Sequence, residues 1–69
     1  MLMFTGQNIR DLREALGLTA TQLAVKLNVT ENAVRRWEMG DRHPRYETLV
    51  KLNDLLKEAQ KKGFVLEPA

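Results

Sequence analysis

Cysteine is missing from this sequence altogether. A disulfide framework and a finger-type structural zinc site are therefore excluded, and a reducing, cytosolic address is the natural expectation. Histidine is nearly missing too. His43 is the single one, set in a predicted loop with no second ligand type near it, so neither a metal centre nor a catalytic imidazole is expected, although a phosphate contact is open to it. No apolar run approaches the roughly 20 residues of a membrane span. Met1 to Phe4 are apolar but lack the charged start and long apolar core of a signal peptide. Charge of one sign is also scarce: 11 Lys and Arg stand against 9 acids, a formal net charge of +2, so overall charge argues only weakly for a nucleic-acid partner. There is no phosphate-cradling glycine loop, and the carboxylates are scattered over predicted helix surfaces. Enzyme chemistry finds no foothold, and no cofactor or metal is expected.

With 69 residues the chain reads as a single domain over 1–69, near the size at which one core is marginal. Without disulfide or metal, stability has to come from compact helical packing or from a dimer.

The residues between Leu18 and Pro44 carry the organisation of the chain. Thr19 followed three residues later by Gln22 is a capping box, flanked by Leu18 and Leu23 as a hydrophobic staple. Thr30 repeats the start signal, with Val29 and Val34 as its staple. Asn28 between them tolerates the left-handed conformation that ends a helix sharply. The pattern predicts helices over about 20–27 and 31–39, the latter stopped by Gly40. Thr5 caps a first helix over about 6–16, with Ile9, Leu12 and Leu16 on one face and Gly17 as its stop. Pro44 forbids a helix through the loop at 41–45, and a fourth helix spans about 46–61 with Leu49, Leu52, Leu56 and Ala59 on its core face. The tail at 63–69 holds Phe64 and Leu66, which alternate about Val65 as a short terminal strand would.

In the third helix Val34 and Trp37 share an inward face, with Ala33 beside it, which leaves Glu31, Asn32, Arg35 and Arg36 outside. An amide-rich helix start followed by long polar and cationic side chains suits a DNA major groove. Trp37 is expected in the core rather than as a base-stacking platform.

Ungapped from Leu18 to Pro44, the run resembles the phage-repressor and Cro-like helix-turn-helix family of the xenobiotic-response-element type. The matching residues are Leu18, Thr19, Leu23, Ala24, Val29, Thr30, Val34, Trp37, Glu38, Gly40 and Pro44. With the flanking helices the resemblance covers about residues 5–60. It implies an all-α, lambda-repressor-like domain of four or five helices, with the helix-turn-helix at the second and third. Two positions depart from the family. Its Gln at the start of the second helix, which touches phosphate and neighbouring side chains, is Ala20 here, so that contact is expected to be missing or shifted to Thr21 or Gln22. Its turn Gly is Asn28. The resemblance also implies an ion pair between Arg13 and Glu38; the alternative is two exposed charges that never meet.

The expected DNA-contacting residues are Thr21, Gln22, Thr30, Glu31, Asn32, Arg35, Arg36, Arg42 and Arg45. Arg36 is the favoured base reader, since Arg grips guanine O6 and N7 with two bonds worth about 1–3 kcal/mol of discrimination. Asn32 suits adenine in the same way. Arg35 could read a base or hold a phosphate, and Thr30 can serve as cap and phosphate contact together. Glu31 either accepts from cytosine N4 or is a plain first-turn acid favoured by the helix N-terminus. Arg42 and Arg45 fit backbone clamps.

These readings lead to a sequence-specific repressor that binds a palindromic operator as a homodimer, in the cytoplasm and associated with the nucleoid. Val50, Leu55, Phe64 and Leu66 form the candidate dimer surface, or else cover a small core. The rival reading is an antitoxin-like or adaptor module, with a protein partner such as a toxin held on the fourth helix and the apolar ends.

Overall fold

The computed structural model describes residues 4–65, and Leu66 of the expected dimer surface lies outside them. Four helices follow one another: α1 (Gly6–Ala15), α2 (Ala20–Leu27), α3 (Glu31–Met39) and α4 (Tyr46–Lys61). Local signals place their ends. Thr5 Oγ1 accepts from the Asn8 amide at 3.0 Å while Asn8 Oδ1 accepts from the Thr5 amide at 3.2 Å. Thr19 and Gln22 exchange the same two bonds at 3.1 and 2.9 Å, and Thr30 Oγ1 accepts from the Ala33 amide at 3.1 Å. Each pair satisfies amides that a helix start leaves without partners. Only α4 begins without a side-chain cap, at Arg45.

The helix ends are equally uniform. In each, two amides beyond the last turn bond back to its carbonyls: Gly17 to Glu14 and Leu18 to Arg13, Asn28 to Val25 and Val29 to Ala24, Gly40 to Trp37 and Asp41 to Arg36, Gly63 to Gln60 and Phe64 to Ala59. This is the Schellman motif, and it needs one left-handed residue. Asn28, at φ 57 and ψ 46, is the one non-glycine that fills that place. Apolar Leu18, Val29 and Phe64 follow the reversal at three of the four ends and fold back onto the core. The first helix closes at Ala15, one residue before the expected end, because Leu16 already belongs to this reversal.

Helix α3 lies between α1 and α2, and α4 closes the bundle against both. The core consists of Phe4, Ile9, Leu12, Leu23, Ala24, Leu27, Val34, Trp37, Leu52, Leu56 and Ala59. Phe4, which sequence reading treats only as part of an apolar end, is buried in it. At the junction of α1 and α3 the backbones nearly touch: a Cβ on Gly6 would sit 2.5 Å from the Trp37 carbonyl oxygen and 2.6 Å from that of Glu38. Lys51 of α4 donates through Nζ to the Leu27 carbonyl at 3.4 Å, setting a cation at the negative end of α2.

The apolar stripe of α4 divides. Leu49, Leu55 and Phe64 are half-buried and pack against the core, whereas Val50 is 45% exposed and Tyr46, one turn earlier, is 68% exposed. Among the described residues no strand occurs; Phe64 and Val65 are irregular. No helix among them is long and apolar enough to cross a membrane.

Candidate nucleic-acid interface

Burial fixes how α3 is turned. Val34 and Trp37 are buried, so Asn32, Arg35, Arg36 and Met39 project outward. The helix is held in that orientation by Arg13 and Glu38. Arg13 Nε donates to Glu38 Oε2 at 2.8 Å, Nη2 donates to Oε1 at 3.1 Å, and Nη1 donates to the Leu18 carbonyl at 3.1 Å. Their side chains are only 16% and 14% exposed. The Glu38 carboxylate raises the Arg13 guanidinium above its ordinary range, chiefly through the hydrogen bonds and against the effect of burial. One acid of the arginine-rich stretch is thereby consumed inside the fold, and four arginines at 35, 36, 42 and 45 remain at the exposed surface.

Those arginines part to two flanks of α3. On the α4 flank, Arg36, Arg42 and Arg45 line a cleft of about 440 Å³ together with Thr30, Asn32 and His43, floored by Val29, Ala33, Trp37 and Thr48. The cleft reaches the uncapped start of α4 at Arg45. Three arginines around one cleft favour an anion such as a phosphate. His43 therefore shares a wall with the arginines.

On the α2 flank, Glu31 joins the two helices. Its Oε1 accepts from the Thr21 hydroxyl of α2, and its Oε2 accepts from Arg35 Nε at 2.7 Å. These bonds, that from Thr21 first and that from Arg35 second, hold the Glu31 carboxyl below the usual carboxylate range. Thr21 thus occupies a bridging place between the starts of α2 and α3, where Ala20 has nothing to offer. Gln22 uses its side-chain oxygen on its own helix start, which leaves its NH₂ group outward.

The expected contact residues consequently separate into groups. Thr21 and Arg35 both donate to Glu31; Thr30, Asn32, Arg36, Arg42 and Arg45 lie around the cleft; Gln22 stands apart at the cap of α2. Sequence reasoning missed two outward features. Met39, 73% exposed, lies at the far end of the same face, and Val25, 76% exposed, projects from α2. The outward Met39 follows from the same wheel that places Val34 and Trp37 inward, so its signal was present. The pairing of Thr21 with Glu31 had none, because it depends on the crossing of two helices.

A family model described as helix-turn-helix matches residues 9–58. An uncharacterized HTH-type transcriptional regulator of Bacillus subtilis is 34% identical over 50 residues, which is 72% of this chain and 43% of that protein. A putative HTH-type transcriptional regulatory protein of Pyrococcus furiosus is 32% identical over 53 residues, 77% of this chain and 17% of that protein. The chain spans less than half the length of either relative. No solved structure matches.

Proposed function

The chain belongs to the helix-turn-helix family, and we propose that it is a sequence-specific DNA-binding regulator of transcription that lays α3 in the major groove. The observation that carries this reading is the division of α3. Its inner face is committed to the core and to the Arg13–Glu38 pair, while Asn32, Arg35 and Arg36 are exposed with no core role. Arg36 and Asn32 lie one turn apart, a spacing that serves adjacent base edges. Arg42 and Arg45, set around the same cleft, supply phosphate contacts that fix register without reading sequence. Membership in this family accords with the expectation that the chain is not an enzyme.

In this reading the active form is a homodimer on a palindrome, and occupancy of the operator represses transcription in the cytoplasm. One small module makes few phosphate contacts, and two copies held about 34 Å apart multiply affinity. The exposed Val50 and Tyr46 of α4 are available to the second copy. The same two residues are what favours the second reading, in which α4 holds a different protein.

Selection of bound sequences from a random duplex pool at moderate salt tests the proposal. The expected result is a palindrome with half-sites one helical turn apart, whose preference relaxes at one symmetric position in Arg36→Ala. Recovery of nothing above non-specific binding would leave the α4 reading in its place. Sedimentation with and without the selected duplex tests the dimer separately, and a monomer in both conditions removes that part.

A further inference from the structure

We propose that Glu31 does not read a base but positions Arg35 to read one: clamped by Thr21, it holds Arg35 by Nε so that the terminal Nη1/Nη2 fork is presented to a guanine. The proposal rests on the DNA-binding reading above and adds a second reader on the opposite flank of α3 from Arg36.

The geometry of the three side chains carries it. A guanidinium has two hydrogen-bonding edges that can grip a planar acceptor pair, one made by Nε with Nη2 and one by Nη1 with Nη2. Arg35 Nε is bound to Glu31 Oε2 at 2.7 Å, which uses up the first edge. The end-on fork, the one that matches guanine O6 and N7, remains. An arginine on a free stem must give up the rotamer freedom of a long side chain to present that fork. Arg35, 63% exposed yet bonded at its neck, has given up part of it in advance.

Glu31 is itself more constrained than an ordinary surface acid. It opens α3, where the helix N-terminus favours a negative charge. Its second oxygen accepts from the Thr21 hydroxyl, so that it is tied to α2 as well as to its own helix. Both oxygens thus already have donors. To accept from cytosine N4 the carboxylate would have to share or release one of them. Its charge is also answered by Arg35, which removes the phosphate repulsion that an unpaired acid would suffer at this face.

The test repeats the random-pool selection with Glu31→Ala, Glu31→Gln, Arg35→Ala and the double variant Glu31→Ala with Arg35→Ala. The expected result is that Glu31→Ala and Arg35→Ala lose preference for the same guanine, by about tenfold or more for Arg35→Ala. The double variant loses no more than Arg35→Ala alone. Glu31→Gln retains most of the preference, because its amide oxygen still accepts from Nε, a rescue that loss of a charge alone would not allow. In the free protein, exchange of the Arg35 Nε proton with water, followed by nitrogen-resolved NMR, is slower in the wild type than in Glu31→Ala.

Three results would overturn the proposal while leaving the DNA-binding reading intact, since the wild type still selects a motif. Glu31→Ala could relax a base pair different from the one relaxed by Arg35→Ala, making Glu31 a reader. Either single variant could leave the motif unchanged. Or the Arg35 Nε proton could exchange equally fast with and without Glu31. A wild type that recovers no motif overturns both together.

Discussion

Helix α3 carries two glutamates, each bonded to an arginine, and the two pairs differ in surroundings far more than in chemistry. Glu38 meets Arg13 across two helices through two bonds, with both side chains at least 84% covered. Glu31 meets Arg35 within one helix through a single bond, with side chains 39% and 63% exposed. In the first pair the Arg13 guanidinium also holds a backbone carbonyl, so neither partner can leave without exposing the other to a poorly solvated site. In the second, Thr21 covers one oxygen of Glu31 and the rest of the pair is open to water, so that loss of either partner leaves no charge stranded in a poorly solvated site. Covered, the pair joins α1 to α3; exposed, it ties Arg35 to the first turn of its own helix.

The largest effect that would break this contrast falls on the covered pair. Removing one partner, as in Glu38→Ala, is expected to destabilise the fold by about 3–5 kcal/mol in a urea titration. Joint replacement by Arg13→Met and Glu38→Leu is expected to recover much of that loss. Glu31→Ala should leave the same titration nearly unchanged. A Glu31 variant as destabilised as the Glu38 one would erase the distinction.

Close to the covered pair, Gly6→Ala comes next, at about 1–3 kcal/mol, since the added methyl meets backbone carbonyls that can yield only by separating α1 from α3. A thermal melt at the level of the wild type would show that α1 and α3 can part at this junction without cost. Smaller again is Asn28→Ala, expected to lower stability by about 1 kcal/mol because alanine has no local bond to offset a left-handed backbone. Asn28→Gly should equal or exceed the wild type.

The smallest effect is a titration. Because the folded-state pKa of Glu31 is depressed, its bonds to Thr21 and Arg35 are present above the unfolded-state pKa and are lost as pH falls through the lower, folded one. Carbon-resolved NMR should therefore find Glu31 ionised into the acid range, with its titration moving upward in Thr21→Ala and further in the double variant with Arg35→Ala. No movement in either would mean that these bonds do not persist in solution.

How much of this was written locally in the chain follows from the same contrast. The helix limits were legible because threonine caps and left-handed stops act within a few residues, so Thr19, Asn28 and Gly40 declare their roles without reference to the rest. The inward turn of Val34 and Trp37 was legible from spacing alone. Phe4 was not, since a residue before the first cap belongs to no helical repeat and is placed by the assembled core. Lys51 was hidden for a similar reason: its partner is a carbonyl of α2, 24 residues away. On the outer face the residue types were visible but not their division into a cleft around Arg36 and a cluster around Glu31. Periodicity sets the direction of a side chain, whereas the crossing of α2 and α3 sets which neighbour it finds.

Whether the outer face of α3 is a DNA-reading surface is decided by titrating the isotope-labelled chain with its selected duplex and following the backbone amides. The largest shifts are expected on Thr30 to Arg36 and on Arg42 to Arg45, while those around Val50 and Leu55 stay small at a fixed protein dimer population. Shifts centred on Val50 and Leu55, with Asn32, Arg35 and Arg36 unmoved, would contradict it.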